Sequence, residues 1–269
     1  MNNPFVAGEP GGQNCIDCAA RPFGICAAVD KPELSELEHL SRHAHFGSGE
    51  TVFAQEEIAT SFYNVLDGVL RLYKLLPDGR RQIVGFALPS DFLGMAASAR
   101  HGYSADAIGP VTVCRFSKSA FARFIENRPH LLRRINESTV RELSHAQQHM
   151  VLLGRRSAEE RVASFLIGWR DRLAAFRGPS RTIPLPMSRL DIADFLGLTI
   201  ETVSRTFTKL ERDGVIEIAP GCVEFVDAAR GEAMTAAQGR DSTVQGFRKH
   251  AFDPYQSAHP LLRHSRPHS

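Results

Sequence analysis

Five cysteines punctuate this 269-residue sequence, and three of them open it, at Cys15, Cys18 and Cys26, in a C-x2-C-x7-C run. Gly11, Gly12, Pro22 and Gly24 surround them, so the run reads as loop, and a loop can bring several sulfurs to one point. A four-ligand site needs one more group. Cys114 offers it, from the apolar strand-like run Val111-Thr-Val-Cys-Arg-Phe116. Four thiolates can hold zinc or an iron–sulfur cluster, and the spacing does not choose between them. Structural zinc more often takes two close Cys/His pairs, which weighs against it. Standing alone, Cys114 would read as a small buried hydrophobe; beside the trio it is a candidate fourth ligand. His39, His43 and His45 read as ordinary surface positions, and Cys222 as a packing or exposed thiol.

A second set of residues points to chemistry of another kind. Ser188 can cap a short helix from Arg189 to Leu196, and Gly197 can take the left-handed conformation that stops it. Thr199 can then cap a second helix reaching about Asp213, before Gly214. On that helix Ile200, Val203, Phe207 and Leu210 make a buried stripe, while Glu201, Ser204, Arg205 and Thr208 share the opposite face. Two short helices joined by a Gly-containing turn form a helix-turn-helix whose second helix can enter the DNA major groove. Arg can chelate guanine, Glu can accept from cytosine, and Ser can serve either base. Val215 to Ile218 and Cys222 to Val226 flank Ala-Pro-Gly and predict a β-hairpin wing. The competing reading, a plain i,i+4 ion pair between Glu201 and Arg205 on a solvated helix, is outweighed by the tandem caps, the stripe and the wing.

The run from Gly197 to Arg205 closely resembles the cyclic-AMP receptor and fumarate-nitrate-reduction regulator (CRP/FNR) family. Its Glu201-x-x-Ser204-Arg205 arrangement is similar to the anaerobic, oxygen-sensing branch, and the resemblance spans about residues 12–227. It implies an α+β fold: a cyclic-nucleotide-binding-like antiparallel β-barrel (jelly roll), a long dimerisation helix and a C-terminal winged helix-turn-helix. It implies a homodimeric transcription regulator, an activator working with RNA polymerase, that binds double-stranded DNA at palindromes with TTGAT-like half-sites. Glu201, Ser204 and Arg205 would read bases, with Thr199 and Thr208 beside them. In that branch three N-terminal cysteines and one barrel cysteine bind an oxygen-labile 4Fe-4S cluster, which the resemblance carries onto Cys15, Cys18, Cys26 and Cys114. The alternative keeps the DNA-binding fold with a thiol or zinc redox site, or with no sensor cluster.

The elements that must position these residues follow from pattern. Residues 1–30 form the cysteine-rich segment and 31–128 the barrel, with Pro32 opening a short helix that carries Leu34, Leu37 and Leu40. Thr51 to Phe53, Phe62 to Leu66, Val69 to Leu76 and Arg81 to Leu88 read as strands, with Asp67-Gly68 and Pro77-Asp-Gly79 as turns. Gly49-Glu-Thr-Val-Phe53 and Asp67-Gly68 resemble the family's barrel, but Tyr103-Ser104 stands where nucleotide-binding members carry an Arg-Ser. Without that charge-assisted grip on phosphate, no cyclic-nucleotide ligand is expected. Residues 129–154 read as one long helix. Its positions Leu132, Asn136, Thr139, Leu143, Ala146, Met150 and Leu153 alternate steps of four and three, a heptad seam that the resemblance makes the dimer contact. Members of the enteric type carry an aspartate where Ala146 falls, so no carboxylate brake on dimerisation is expected here.

Gly154-Arg-Arg156 reads as a hinge, and Ser157-Ala-Glu-Glu160 as a capping box opening the 155–229 DNA-binding domain. Residues 230–269 hold four of the 11 histidines, six Lys/Arg and three Asp/Glu without periodicity, which reads as a disordered tail. The net charge is +2 and the segment 156–229 carries 10 Lys+Arg against 11 Asp+Glu, so DNA binding must rest on local placement of charge rather than a basic field. No apolar run reaches spanning length and no signal-like N-terminus is present. A cytoplasmic protein is expected, where thiols and metal ligands outnumber disulfides. No nucleophile elbow, phosphate loop or His-Glu metal motif supports an enzyme.

Overall fold

Residues 41–117 form two antiparallel sheets that face each other across an apolar interior. The computed structural model describes residues 14–96 and 98–236; the expectation of a disordered tail beyond Ala236, and the first part of the 1–30 segment, fall outside these. One sheet runs β1 (Ser41–Phe46), β8 (Val111–Ser117), β3 (Ser61–Asp67), β6 (Phe92–Leu93). The other runs β2 (Thr51–Phe53), β7 (Ser104–Ala107), β4 (Leu70–Leu75), β5 (Arg81–Ala87). Val65, Leu70, Ala105, Ala107, Val111 and Val113 fill the space between them. Strands β1, β6 and β7 escape a pattern search: β1 is His-rich with half its residues exposed, β6 is two residues long, and β7 is Ser-Ala-Asp-Ala, low in strand-forming types.

Strand β8 is buried on both faces. Val111 and Val113 point into the barrel, while Cys114 and Phe116 point outward by the period of two. Over that outer face lie Leu34 and Leu37 of α1 (Lys31–Leu40), Phe121 and Phe124 of α2 (Lys118–Glu126), and Leu131. Asp30 caps α1 in a capping box with Glu33, so Pro32 takes the second helical position rather than the first.

Helix α3 (Pro129–Arg155) is anchored at its start by Leu131 and then leaves the barrel, and residues 139–148 are exposed on every side. Leu132, Val140, Leu143 and Met150 are 46–63% exposed. The helix continues through Gly154 to Arg155 and breaks at Arg156, the last residue of the expected hinge, whose backbone is extended. Ser157 then caps α4 (Ala158–Arg177) in the predicted box with Glu160. The C-terminal domain follows as β9 (Thr182–Pro184), α5 (Arg189–Leu196), α6 (Ile200–Arg212), β10 (Ile216–Ala219), β11 (Cys222–Phe225) and α7 (Ala228–Ala236). Strand β9 adds to β11 through Ile183–Val223 and makes the wing a three-stranded sheet. Helical structure also extends past the expected boundary at 229, because α7 packs back on α4 and the Arg170 guanidinium pairs with Glu232 at 2.9 Å.

Barrel and DNA-binding domain share one apolar core. Val69, Ile83, Phe86 and Leu88 pack with Phe165, Trp169, Ile192 and Leu196. Beside that core runs a chain of charges. Arg81 donates to Asp194 at 2.7 Å and to Asp191 at 2.9 Å, and Arg71 reaches Asp191 at 3.4 Å and Asp106 at 3.5 Å. Burial pushes the Asp191 carboxyl up, but the Ser188 side chain and amide and the two guanidiniums outweigh it and hold the group below the usual carboxylate range.

Candidate DNA interface and cysteine site

The helix-turn-helix forms as its sequence dictates. Ser188 Oγ accepts from the Asp191 amide at 3.0 Å, and Asp191 Oδ2 accepts in return from the Ser188 amide at 3.0 Å. Gly197 turns the chain at φ 61°, a conformation few side chains tolerate, and Thr199 Oγ1 accepts from the Thr202 amide at 3.2 Å. Val203, Phe207 and Leu210 are buried, which fixes the roll of α6 and leaves Glu201, Ser204, Arg205 and Thr208 exposed on its outer face. Ile200, expected in the buried stripe, is instead 39% exposed, because the first turn of α6 extends beyond the core.

The outer face is poised for hydrogen bonding. Ser204 Oγ donates to the Ile200 carbonyl at 2.8 Å and Thr208 Oγ1 to the Ser204 carbonyl at 3.2 Å, so both oxygens keep lone pairs free to accept. Glu201 is held below its ordinary pKa by its own amide and the Thr199 hydroxyl, with Arg205 adding to the effect. Glu201 and Arg205 form no ion pair within 4.0 Å among the described residues, so Arg205 is not consumed by an intrahelical bridge.

The N-terminal cysteines are brought to Cys114 by the loop itself. Two 3-10 turns, Arg21–Phe23 and Ile25–Ala28, fold the loop back over the outer face of β8. Gly24 permits this because its backbone lies against Ser90; a Cβ there would stand 2.8 Å from the Ser90 carbonyl oxygen. Cys15 and Cys26 pack against the cluster that contains buried Cys114. All five cysteines are free thiols. Burial, then the Glu38 carboxylate and Cys18, push Cys15 up to about 11 against the pull of Arg21. Burial, then Cys15 and Cys18, push Cys26 up to about 12. Cys114 is raised further by burial and then by Cys26, Cys18 and Cys15. Every pair among the four is thus close enough for charge on one to oppose charge on the other.

This proximity suits some metals better than others. A single tetrahedral zinc with bonds of about 2.3 Å needs its sulfurs about 3.8 Å apart. Among the described residues, the one group of three or more such ligands within 4.8 Å of each other is Asp30, Glu33 and His130, not a set of cysteines. Glu33 there already accepts from Arg128 at 2.8 Å and His130 at 3.1 Å. Among the described residues no three cysteine sulfurs lie within 4.8 Å of one another, so the thiols do not form a ready-made single-ion site. Cys15, Cys26 and Cys114, reluctant to ionise, also need a strong cationic partner to become thiolates.

Two connections lie beyond what spacing could reveal. Arg134 of α3 donates to the Gly24 and Phe23 carbonyls, both at 3.4 Å, and Phe23 meets Phe176 of α4 edge-on at 5.1 Å. The cysteine loop therefore touches the barrel, α3 and α4 at once. Neither residue carries a local signal for this, since each partner is over 100 residues away. Asn136 and Thr139 are exposed on α3 with Leu132, Leu143, Ala146 and Met150, so six of the seven expected seam residues are exposed in the single chain, while Leu153 is half-buried beside Gly197. Tyr103 lies against the barrel interior, 5.6 Å from Phe53 between ring centres, and burial pushes it up to about 12. Cys222 pairs with Ala219 and Pro184 in the wing, far in sequence and sheet from the other four. No helix among the described residues is long and apolar enough to cross a membrane.

Comparison with known proteins matches both halves. Residues 43–128 match the cyclic nucleotide-binding domain, and residues 185–216 match the bacterial regulatory proteins of the crp family. The chain is 68% identical to the nitrogen fixation regulation protein FixK of Bradyrhizobium diazoefficiens, over 88% of this chain and 100% of that protein. It is 38% identical to the transcriptional activator protein FnrL of Cereibacter sphaeroides, over 76% of this chain and 84% of the relative. The solved structure of FixK2 from Bradyrhizobium japonicum superposes with a TM-score of 0.68 at 36% identity, covering 72% of this chain and 96% of that one.

Proposed function

The chain belongs to the CRP/FNR superfamily of bacterial regulators, in its FNR-like branch, and from that premise we propose that it senses oxygen or redox state through a 4Fe-4S cluster. It is a DNA-binding transcription regulator and not an enzyme. We assign the cluster to Cys15, Cys18, Cys26 and Cys114. The observation that carries it is the folding of the N-terminal loop over β8, which gathers all four thiols into mutual electrostatic range at a mostly buried face. When bound, the cluster supplies an oxygen-labile, redox-active centre.

The chain's own residues supply the route from that site to DNA. The cysteine loop rests on α3 through Arg134 and on α4 through Phe23, so its order bears on the helix that carries the seam. Leu132, Asn136, Thr139, Leu143, Ala146 and Met150 would pair with a second copy and set two α6 helices about one helical turn apart, roughly 34 Å. Glu201, Ser204 and Arg205 would then read TTGAT-like half-sites, with Thr199 and Thr208 at the margins. We assign activation with RNA polymerase, as in the relatives named as activators. The ring of Tyr103 in the barrel supports the absence of a cyclic-nucleotide ligand, and a cytoplasmic site suits a DNA-bound regulator.

A coupling of about 2 kcal/mol between cluster and dimer changes DNA affinity roughly thirtyfold, enough for a switch. The test is titration of a fluorescent duplex carrying TTGAT and its inverted repeat, in the absence of air and after exposure to it. Affinity should fall on exposure. Equal affinity in both conditions would remove the sensing role and leave DNA binding in place.

A further inference from the structure

Beside the four cysteines sits a polar side chain that the sensing account has not used. Asn64 of β3 lies directly opposite Cys114 in the β3–β8 register, and residues paired in this way project to the same face of the sheet. Asn64 is 1% exposed, and its Oδ1 has no hydrogen-bond partner among the described residues. The neighbours on that face are apolar: Phe62, Leu66 and Phe92 all pack into the cluster that holds Cys114. The lid over it is the cysteine loop, for a Cβ at Gly24 would stand 3.5 Å from Asn64 Oδ1. His43, the residue opposite Cys114 on its other side, is exposed and so differs in kind.

A buried carboxamide with an idle end is a cost to the fold, and an apolar residue of the same shape would avoid it. The cost is intelligible if the partner arrives with the bound group. A carboxamide presents an acceptor and a donor that exchange by a half-turn, so the end beneath the cysteine loop can offer N–H to an anionic sulfur. We propose that Asn64 is a positioning residue for the cysteine site, donating a hydrogen bond to the Cys114 sulfur when iron is bound and so setting how firmly the site holds its metal in air. This rests on the cluster reading above. Hydrogen bonds to cluster sulfurs stabilise the more electron-rich state and raise the reduction potential; their loss lowers it and makes oxidation easier.

The test compares wild type with Asn64→Leu, which keeps the volume and removes both polar ends. Both are loaded with iron and sulfide anaerobically, and three quantities are read: melting of the metal-free protein, iron released to a chelator, and loss of visible absorbance in air. The expected result is a metal-free Asn64→Leu at least as stable as wild type, with iron lost about 10-fold faster or more, the usual effect of removing an outer partner of a metal ligand. If that variant does not fold, Asn64→Asp keeps the shape, replaces the donor by a charge, and should shed iron faster still. Iron loss equal to wild type in a folded variant overturns the role of Asn64 alone. A wild type that takes up no iron overturns the cluster assignment and this role with it.

Discussion

Removing the guanidinium of Arg205 should separate base reading from every other property of the molecule. Arg205 is exposed on α6 and makes no hydrogen bond or ion pair among the described residues, so Arg205→Ala should change stability by no more than about 0.5 kcal/mol. Its buried neighbours on the helix, Val203, Thr206 and Phe207, are untouched. A bidentate contact to a base contributes about 1–3 kcal/mol per half-site. A dimer on a palindrome loses two such contacts, about 2–6 kcal/mol, which is roughly 30-fold to more than 10,000-fold in affinity at about 1.4 kcal/mol per decade. Fluorescence anisotropy at fixed salt, on the TTGAT palindrome and on single-base variants, measures this. The loss should be concentrated on duplexes with the intact half-site, and variants altered at the contacted base should bind wild type and Arg205→Ala alike. Uniform weakening on every sequence, with a shallower salt dependence, would make Arg205 a phosphate contact and refute the reasoning.

Leu143→Glu places a charge at a seam position already 57% exposed in the single chain, so the fold should survive while sedimentation shows monomer; an unchanged dimer would move the interface elsewhere. Asp191→Asn removes the charge shared by Arg71 and Arg81 and should lower the melting free energy by about 2–3 kcal/mol at neutral pH, part of the usual cost of breaking a buried pair. Because the folded Asp191 pKa is depressed, that stabilisation is fully present above the unfolded value near about 4 and is lost as pH falls through the lower folded pKa. Wild type and Asp191→Asn should therefore converge in melting experiments on strong acidification, and a constant gap would point to another cause. Cys222→Ser, in the wing, should leave both iron content and response to air as in wild type.

Local signals carried the DNA-binding half of the molecule and much of the barrel. Ser157, Ser188 and Thr199 cap the helixes their sequence predicts, and Gly197 turns left-handed where a stop was expected. These depend on neighbours within four residues, which a sequence displays. Strands β1 and β7 were not legible, because their place in the sheets comes from pairing partners about 30 to 75 residues away rather than from their own pattern. Short β9 was hidden in the same way, since its place is set by β11 and by Trp169, whose ring N–H bonds the Pro184 carbonyl at 2.8 Å. The cysteine set was visible as spacing, yet its convergence depends on Gly24 lying against Ser90. The Arg71–Asp191–Arg81 chain and the Arg134 bonds to the loop join distant segments, and isolated arginines give no hint of them.

The most direct measurement is iron and acid-labile sulfide per chain, with the visible spectrum, for wild type and Cys114→Ser purified without air. In the proposed site Cys114 is the one ligand supplied by the barrel, so its loss should leave the loop trio unable to complete the site. Wild type should be brown, with iron and sulfide in near-equal amounts approaching four each per chain, and should bleach in air; Cys114→Ser should be colourless or nearly so. A colourless wild type, or a Cys114→Ser variant with the full iron, sulfide and spectrum of wild type, would contradict the four-cysteine cluster.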